Sequence, residues 1–174
     1  MRGPKVRSLV FAMLFAFAFT GYVQRSSVSI AAEQMMPELG LSQIQIGWVM
    51  TAFLLTYSVF QIPASLLGQV IGARRMLAAI GLTTVIASVL TASAPLVTAA
   101  GVIFVTLLLA RGLLGAAQSA LFPVASGTIR HWFPVRSWAS FQGLIVTGLW
   151  FGAAMASPLI AWLMQGFGWQ RALI

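Results

Sequence analysis

The sequence predicts an all-α membrane protein with five complete membrane-spanning helices and the start of a sixth. Two features of its composition point this way: 60% of the 174 residues are hydrophobic and only 7% are charged. A soluble domain carries about 25% charged residues, so these few charges cannot cover the surface of a soluble protein of this length. In addition, the apolar runs are long enough to cross a bilayer, which takes about 20 residues.

The spans are predicted to be helices. Lipid offers no hydrogen-bond partner to a free backbone group, which leaves only helices and closed barrels, and the sequence lacks regularly alternating strands. We expect helices at about 8–32, 46–71, 76–94, 97–128 and 138–164, and a sixth beginning at about 169. Pro123 is expected to bend the fourth helix. Residues 1–174 are therefore interpreted as one partial six-helix transmembrane domain.

The basic residues predict the orientation of the bundle. Seven of the ten fall in three segments on one side of the membrane: Arg2, Lys5, Arg7, Arg74, Arg75, Arg130 and Arg136. The positive-inside rule puts that side, with the N-terminus, in the cytoplasm. We expect a multi-pass protein of the inner (plasma) membrane. A nucleic-acid partner is not expected, because it would require these charges on one solvated face.

Two further arginines, Arg25 and Arg111, fall inside predicted spans. Arginine keeps its charge in proteins, and at the centre of a membrane helix it costs roughly 2.5–3.5 kcal/mol. No acidic residue lies within the five predicted helices. The partners left are a bound anion, a carboxylate from a missing part of a longer protein, or polar groups and water. A guanidinium can bind a carboxylate through two parallel hydrogen bonds.

Several polar residues share helix faces with these arginines or with one another. Tyr22 precedes Arg25 by three residues, Gln118 follows Arg111 by seven, and Tyr57 and Gln61 are four apart. Gln142 adds a polar group in the fifth helix. This pattern favours a central cavity for a hydroxylated carboxylate such as a sugar acid. The alternative is that Arg25 extends outward to the interface while Arg111 pairs with a carboxylate of the missing half.

Four regions of the sequence resemble the major facilitator superfamily, and more closely its anion:cation symporter branch, which includes bacterial transporters for hexonates, glucarate and phthalate. The resemblance is carried by residues 21–32, by 47–57 with 60–63, by 67–75, and by 111–115 with 122–123 and 132–134. It implies a twelve-helix transporter made of two six-helix halves that rock about a central substrate site. This chain would be part of the N-terminal half, and the missing C-terminal half would be its partner.

The resemblance also implies roles for individual residues. It implies that Tyr22, Arg25, Tyr57 and Arg111 line the substrate site. The polar pattern adds Gln24, Gln61 and Gln118 to the expected substrate-binding residues. The expected conformational gating loop contains Gly68, Gly72, Arg74 and Arg75. No cofactor or metal is expected.

The sequence departs from the branch at two places. Gln24 and Gln118 stand where acids associated with proton coupling are common, and glutamine does not titrate near neutral pH. In the loop between helices 2 and 3, Gln69-Val70 replaces the usual Asp-Arg. Coupling through the missing half, uniport and exchange therefore all stay open.

The sequence thus predicts a fragment of a secondary active transporter for a small organic anion. The alternatives are a carrier of another substrate class, such as a neutral sugar or a drug, and a transporter-like sensor that binds without transport. An enzyme is not expected, because no convergent set of acid, base, nucleophile or metal ligands is present and the single histidine, His131, has no acidic neighbour in the sequence.

Overall fold

The computed structural model describes residues 4–96 and 99–173. Its helices are α1 (Pro4–Leu39), α2 (Gln43–Ile71), α3 (Ala73–Ala92), α4 (Ala100–Gln118), α5 (Leu121–Trp132) and α6 (Trp138–Ala172), with short 3₁₀ turns at Ala94–Leu96 and Val135–Ser137. Within these residues, five helical stretches are long and apolar enough to cross a membrane, with α4 and α5 together forming the fourth. The predicted all-α membrane fold is confirmed. The predicted start of the fourth helix, at about 97, lies outside the described residues.

The first helix runs to Leu39, beyond the predicted end at about 32, and the turn follows at Gly40. Pro37 is accommodated in the last turn of α1. Gly40 has a φ of 63°, which a side chain would strain. The backbone N–H of Leu41 donates to the carbonyl of Met36 at 3.0 Å, the bond that closes a Schellman motif. The buried Leu41 then leads directly into α2.

The second helix starts three residues before the predicted position because of a capping box that sequence inspection missed. The N–H of Gln45 donates to the Ser42 hydroxyl at 3.2 Å, and the N–H of Ser42 donates to the Gln45 side-chain carbonyl at 2.8 Å. Together these bonds satisfy two of the donors that a helix start leaves free. At the other end of α2, Gly72 alone connects it to α3, with a φ of 88°.

Two turn residues, Ser119 and Ala120, separate α4 from α5, and both keep right-handed helical backbone angles, so the fourth span stays one helical stretch that changes just before Pro123. Helix α4 ends at Gln118 and α5 begins at Leu121. Pro123 lies in the first turn of α5, where its missing N–H costs nothing, but an unbroken helix would bring its ring against the carbonyl of Ser119 four residues earlier. The change in the helix therefore lies upstream of the proline that causes it.

Glycines allow the helices to approach closely. A Cβ atom on Gly152 of α6 would lie 2.6 Å from the carbonyl oxygen of Phe19 in α1, and one on Gly148 would lie 2.8 Å from the Phe15 ring. Small residues at such positions are typical of membrane helix packing. The packing of α6 on α1 is thus fixed in the middle of α1, at Phe15 and Phe19.

One end of the bundle gathers the segments that carry the basic residues. Val10 near the start of α1, Arg74 at the start of α3 and Trp132 at the end of α5 line one cavity of about 510 Å³. We call this the basic end. Which side of a membrane it occupies stays a prediction.

At the opposite end of the bundle, the last turn of α1 is hydrogen-bonded to the end of α6. Gly168 interrupts the helical geometry of α6 with a φ of 78°, and the residues after it turn back onto α1. Glu38 accepts hydrogen bonds from the indole N–H of Trp169 and, at 2.7 Å, from the amide of Gln170. The Trp169 side chain is 2% exposed.

We predict that Glu38→Ala destabilises the protein. The substitution leaves the buried indole N–H of Trp169 without its acceptor, and an unsatisfied buried donor costs about 1–3 kcal/mol. The melting temperature of the full-length protein in detergent should fall. The matched control is Glu33→Ala, which removes an exposed carboxylate of the same helix for which the structure describes no hydrogen bond. An equal shift for both variants would contradict the prediction.

Candidate anion-binding site

Arg25 is surrounded by aromatic rings. The guanidinium carbon lies 5.2 Å from the ring centroid of Phe53 and 5.9 Å from those of Tyr22 and Tyr57. These distances fall within the range of cation–π attraction. The chain contains two tyrosines, and both are in this group. We call Arg25, Tyr22, Phe53 and Tyr57 the Arg25 cage.

Helix geometry assembles the cage from two spans. Tyr22 precedes Arg25 by three residues and so lies on the same face of α1. Phe53 and Tyr57 are four residues apart on α2, and their rings stack with centroids 5.8 Å apart at an interplanar angle of 22°. The cage therefore depends on how α1 and α2 are positioned.

The position of α2 is fixed by a close approach of α4 at the level of the cage. A Cβ atom on Gly115 would overlap the backbone carbonyl of Phe53 and the hydroxyl of Thr56. One turn earlier on α4, Gly112 has room, since its Cβ would lie 3.5 Å from the nearest atom, a methyl of Thr56. The missing side chain of Gly115 thus allows α2 to pack closely on α4, with Phe53 beside Arg25.

Arg25 is exposed, and the structure describes no hydrogen bond from it. No ion pair within 4.0 Å is found among residues 4–96 and 99–173. The faces of the rings attract the charge but take up no N–H donor. The guanidinium hydrogen bonds thus remain free for water or for a bound group.

Arg111 has a different environment from Arg25. It is 3% exposed, and its Nη1 donates to the backbone carbonyl of Gln24 at 3.1 Å, while its Nε is buried without a partner. The same Gln24 carbonyl accepts from the Ser27 hydroxyl at 2.7 Å. The sequence suggested that both arginines face one cavity. In the structure Arg25 is open to solvent or ligand, and Arg111 is enclosed between α1 and α4.

Gln24 and Gln118 lie together at a small, partly open cavity. Gln24 and Gln118, with the hydroxyls of Thr20 and Thr84, are among the residues that line about 190 Å³ between α1, α3 and α4. The Gln24 side-chain carbonyl accepts from the Ser88 hydroxyl at 3.2 Å. Gln118 is 6% exposed, and its amide nitrogen has no protein partner. A cavity of this size and polarity can hold water.

The remaining predicted residues lie outside both groups. Gln61 is exposed on α2, one turn beyond Tyr57. Gln142 accepts a hydrogen bond from Ser126 at 3.1 Å and so links α6 to α5. At the basic end, Gly68 and Gly72 line a cavity of about 730 Å³ between the end of α2 and α5. Arg74 and Arg75 are exposed there.

Sequence inspection missed Phe53, the cage member that lies closest to Arg25. The available signal was its spacing of four from Tyr57, which places both rings on one helix face. Phenylalanine has no polar atom, so charge and polarity alone do not select it. The structure makes it part of the environment of a charged group.

The sequence profile of the Major Facilitator Superfamily matches residues 11–174. The chain belongs to this superfamily. Among its relatives, the probable sulfoacetate transporter of Cupriavidus necator is 28% identical over 170 residues, a match that covers 98% of this chain and 38% of the relative. The hexuronate transporter of Escherichia coli K12 is 29% identical over 169 residues, covering 97% of this chain and 38% of the relative.

A D-galactonate transporter of Escherichia coli O6:H1 is 26% identical over 168 residues, covering 97% of this chain and 37% of the relative. The chain thus spans less than two-fifths of the length of these relatives. A solved bacterial homolog of the human lysosomal transporter Spinster, in an inward-facing and unoccupied conformation, matches with a TM-score of 0.73 at 22% identity, covering 99% of this chain and 40% of that one. The superfamily fold and the resemblance seen in the sequence are confirmed.

We predict that Gly115→Ala destabilises the bundle and Gly112→Ala does not. The added methyl at position 115 meets the backbone of α2, which cannot move away cheaply, and overpacking of this kind costs about 1–3 kcal/mol. At position 112 the methyl makes an ordinary contact. The measurement is the melting temperature of the full-length variants in detergent. A larger loss at position 112 than at position 115 would show that the helix approach is wrongly described.

Proposed function

We propose that this chain is part of a secondary transporter that carries a small organic anion, such as a sugar acid, and that Arg25 binds the carboxylate. The observation that carries the proposal is the Arg25 cage, an exposed guanidinium in a membrane span with three aromatic rings around it and no acidic partner in the described residues. The named relatives support the same class, because each is named for the transport of an acid.

Magnitudes favour an anion as the missing partner of Arg25. Burying an arginine in a membrane helix costs roughly 2.5–3.5 kcal/mol on insertion scales. A cation–π contact returns about 0.5–1 kcal/mol when exposed and about 2 kcal/mol when desolvated. The rings therefore offset part of the cost without using the N–H groups. A carboxylate that accepts two parallel hydrogen bonds would supply the rest and would also be held in one orientation.

The other predicted residues divide into two roles in this proposal. Tyr22, Tyr57 and Gln61 lie on the exposed side with Arg25 and offer hydroxyl and amide groups to a hydroxylated substrate. Arg111 is 3% exposed in this structure, where it contributes a buried charge and a hydrogen bond that joins α4 to α1. Gln24 and Gln118 belong to the interior with Arg111.

We propose alternating access as the mechanism, with the exposed cage facing a second half of the transporter across the substrate. The basic end would lie in the cytoplasm of a cell with this protein in its inner membrane. Gly68, Gly72, Arg74 and Arg75 would form a gating loop there, with Gly72 as the one-residue connection between two spans.

Proton symport, which the branch implies, would need a titrating group other than Gln24 and Gln118. The chain has two acidic residues, Glu33 and Glu38; the sequence placed both outside the first span, whereas in the structure both lie in the last two turns of α1. Gln24 and Gln118 cannot take up a proton near neutral pH. A coupling ion, where one is used, would have to be handled by the second half of the protein.

We predict that Arg25→Gln abolishes uptake of an organic anion by the full-length protein in liposomes, measured with labelled D-glucuronate. The substitution removes both the charge and the planar fork of donors. Arg25→Lys keeps the charge but loses the fork, so it should bind at least about tenfold more weakly while still preferring the anion over glucose.

Melting temperatures of both variants separate lost binding from lost folding. Uptake of D-glucuronate by a folded Arg25→Gln protein at the unmodified rate would refute the proposal. Tight binding by the unmodified protein without any uptake would favour a sensor. Uptake of glucose in preference to every anion tested would favour a carrier of neutral sugars.

A further inference from the structure

Trp150 of α6 extends the aromatic surface of the Arg25 cage. Its ring centroid lies 6.3 Å from that of Tyr22, at an interplanar angle of 42°. The Trp150 side chain is nevertheless 61% exposed. Tyr22 is thus a neighbour of both the Arg25 guanidinium and the exposed indole of Trp150.

The position of Trp150 on α6 separates it from the face that packs on α1. That face consists of buried residues at spacings of three and four: Ile145, Gly148, Gly152, Ala156 and Ile160. At about 100° per residue, Trp150 lies off this face. The long Trp150 side chain still reaches the Tyr22 ring, and most of the indole stays exposed.

The other strongly exposed tryptophans lack such a neighbour. Trp48 and Trp162 are both exposed, and the described part of the chain gives neither a ring contact nor a cation within reach. Exposed tryptophans of that kind suit a lipid interface. Trp150 differs because it continues a surface that starts at a guanidinium.

We infer that Trp150 forms a subsite for the carbon skeleton of a ring-shaped sugar acid whose carboxylate binds Arg25. The inference rests on the proposed function and names a substrate class for it. In a hexuronate, the carboxylate is attached directly to a six-membered ring. With the carboxylate at Arg25, we expect the sugar ring to lie beside Tyr22 and Trp150. There the indole offers an apolar surface and Tyr22 offers a hydroxyl.

We expect this arrangement to discriminate between organic anions by their size. Large aromatic side chains supply a stacking surface for a ligand ring, and a few polar groups fix its orientation. A two-carbon anion such as sulfoacetate can use the Arg25 cage but is too short to cover the indole. The subsite therefore contributes to the binding of a hexuronate and adds little to the binding of a two-carbon anion.

The test compares the binding of D-glucuronate and sulfoacetate to the full-length protein and to two variants. We expect Trp150→Ala to weaken D-glucuronate binding by about tenfold and to change sulfoacetate binding by less than about twofold. Trp150→Phe should retain most of the D-glucuronate affinity, since it keeps an aromatic face. The control is Trp162→Ala, which removes an exposed tryptophan from the same helix and should leave both affinities unchanged.

The outcomes separate this inference from the proposed function. An equal loss for both anions in Trp150→Ala would mean that Trp150 only positions Tyr22, and it would overturn the subsite. Unchanged binding of both anions would overturn it as well, while binding that still requires Arg25 would leave the proposed function standing. If the unmodified protein binds neither anion, nor any other organic acid, the proposed function and the subsite fail together.

Discussion

A permanently charged guanidinium inside a lipid-spanning helix, surrounded by rings and not by carboxylates, sets the conditions for the rest of this structure. Arg25 cannot lose its charge, so the protein must compensate it by other means. Phe53 and the two tyrosines attract the charge without consuming its hydrogen-bond donors. A carboxylate partner in the same place would have neutralised the site and left nothing for a ligand.

The packing of the spans serves this arrangement. The aromatic rings of α2 can reach α1 only if α4 lets α2 approach, and Gly115 provides the space. On the other side, Gly148 and Gly152 bring α6 against α1, which places Trp150 beside Tyr22. In lipid there is no hydrophobic gain between helices, so close contact through small residues supplies much of the association. The glycines that appear in sequence as simple packing signals thus also determine the shape of the site.

Much of the architecture could be predicted from composition and periodicity, because spans, connections and basic segments leave strong signals in a sequence. The boundaries were less predictable. The capping box of Ser42 and Gln45 depends on side-chain geometry, and the turn at Gly40 competes with an equally plausible turn at Pro37. At the site, Arg25 and the tyrosines could be selected from charge and spacing. The burial of Arg111 could not be predicted in this way. The position of a residue on a helix face does not reveal whether its long side chain extends toward a cavity or toward a neighbouring backbone.

The bond between Arg111 and Gln24 has a consequence for substitution. The acceptor is the main-chain oxygen, which every amino acid supplies, so the fastening of α4 to α1 is indifferent to the side chain at position 24. That side chain makes its own separate bond to Ser88. A substitution at position 24 therefore keeps the acceptor of this bond and changes only the side-chain bond to Ser88. The polar groups that line the cavity can therefore change while the backbone acceptor that joins α4 to α1 is kept.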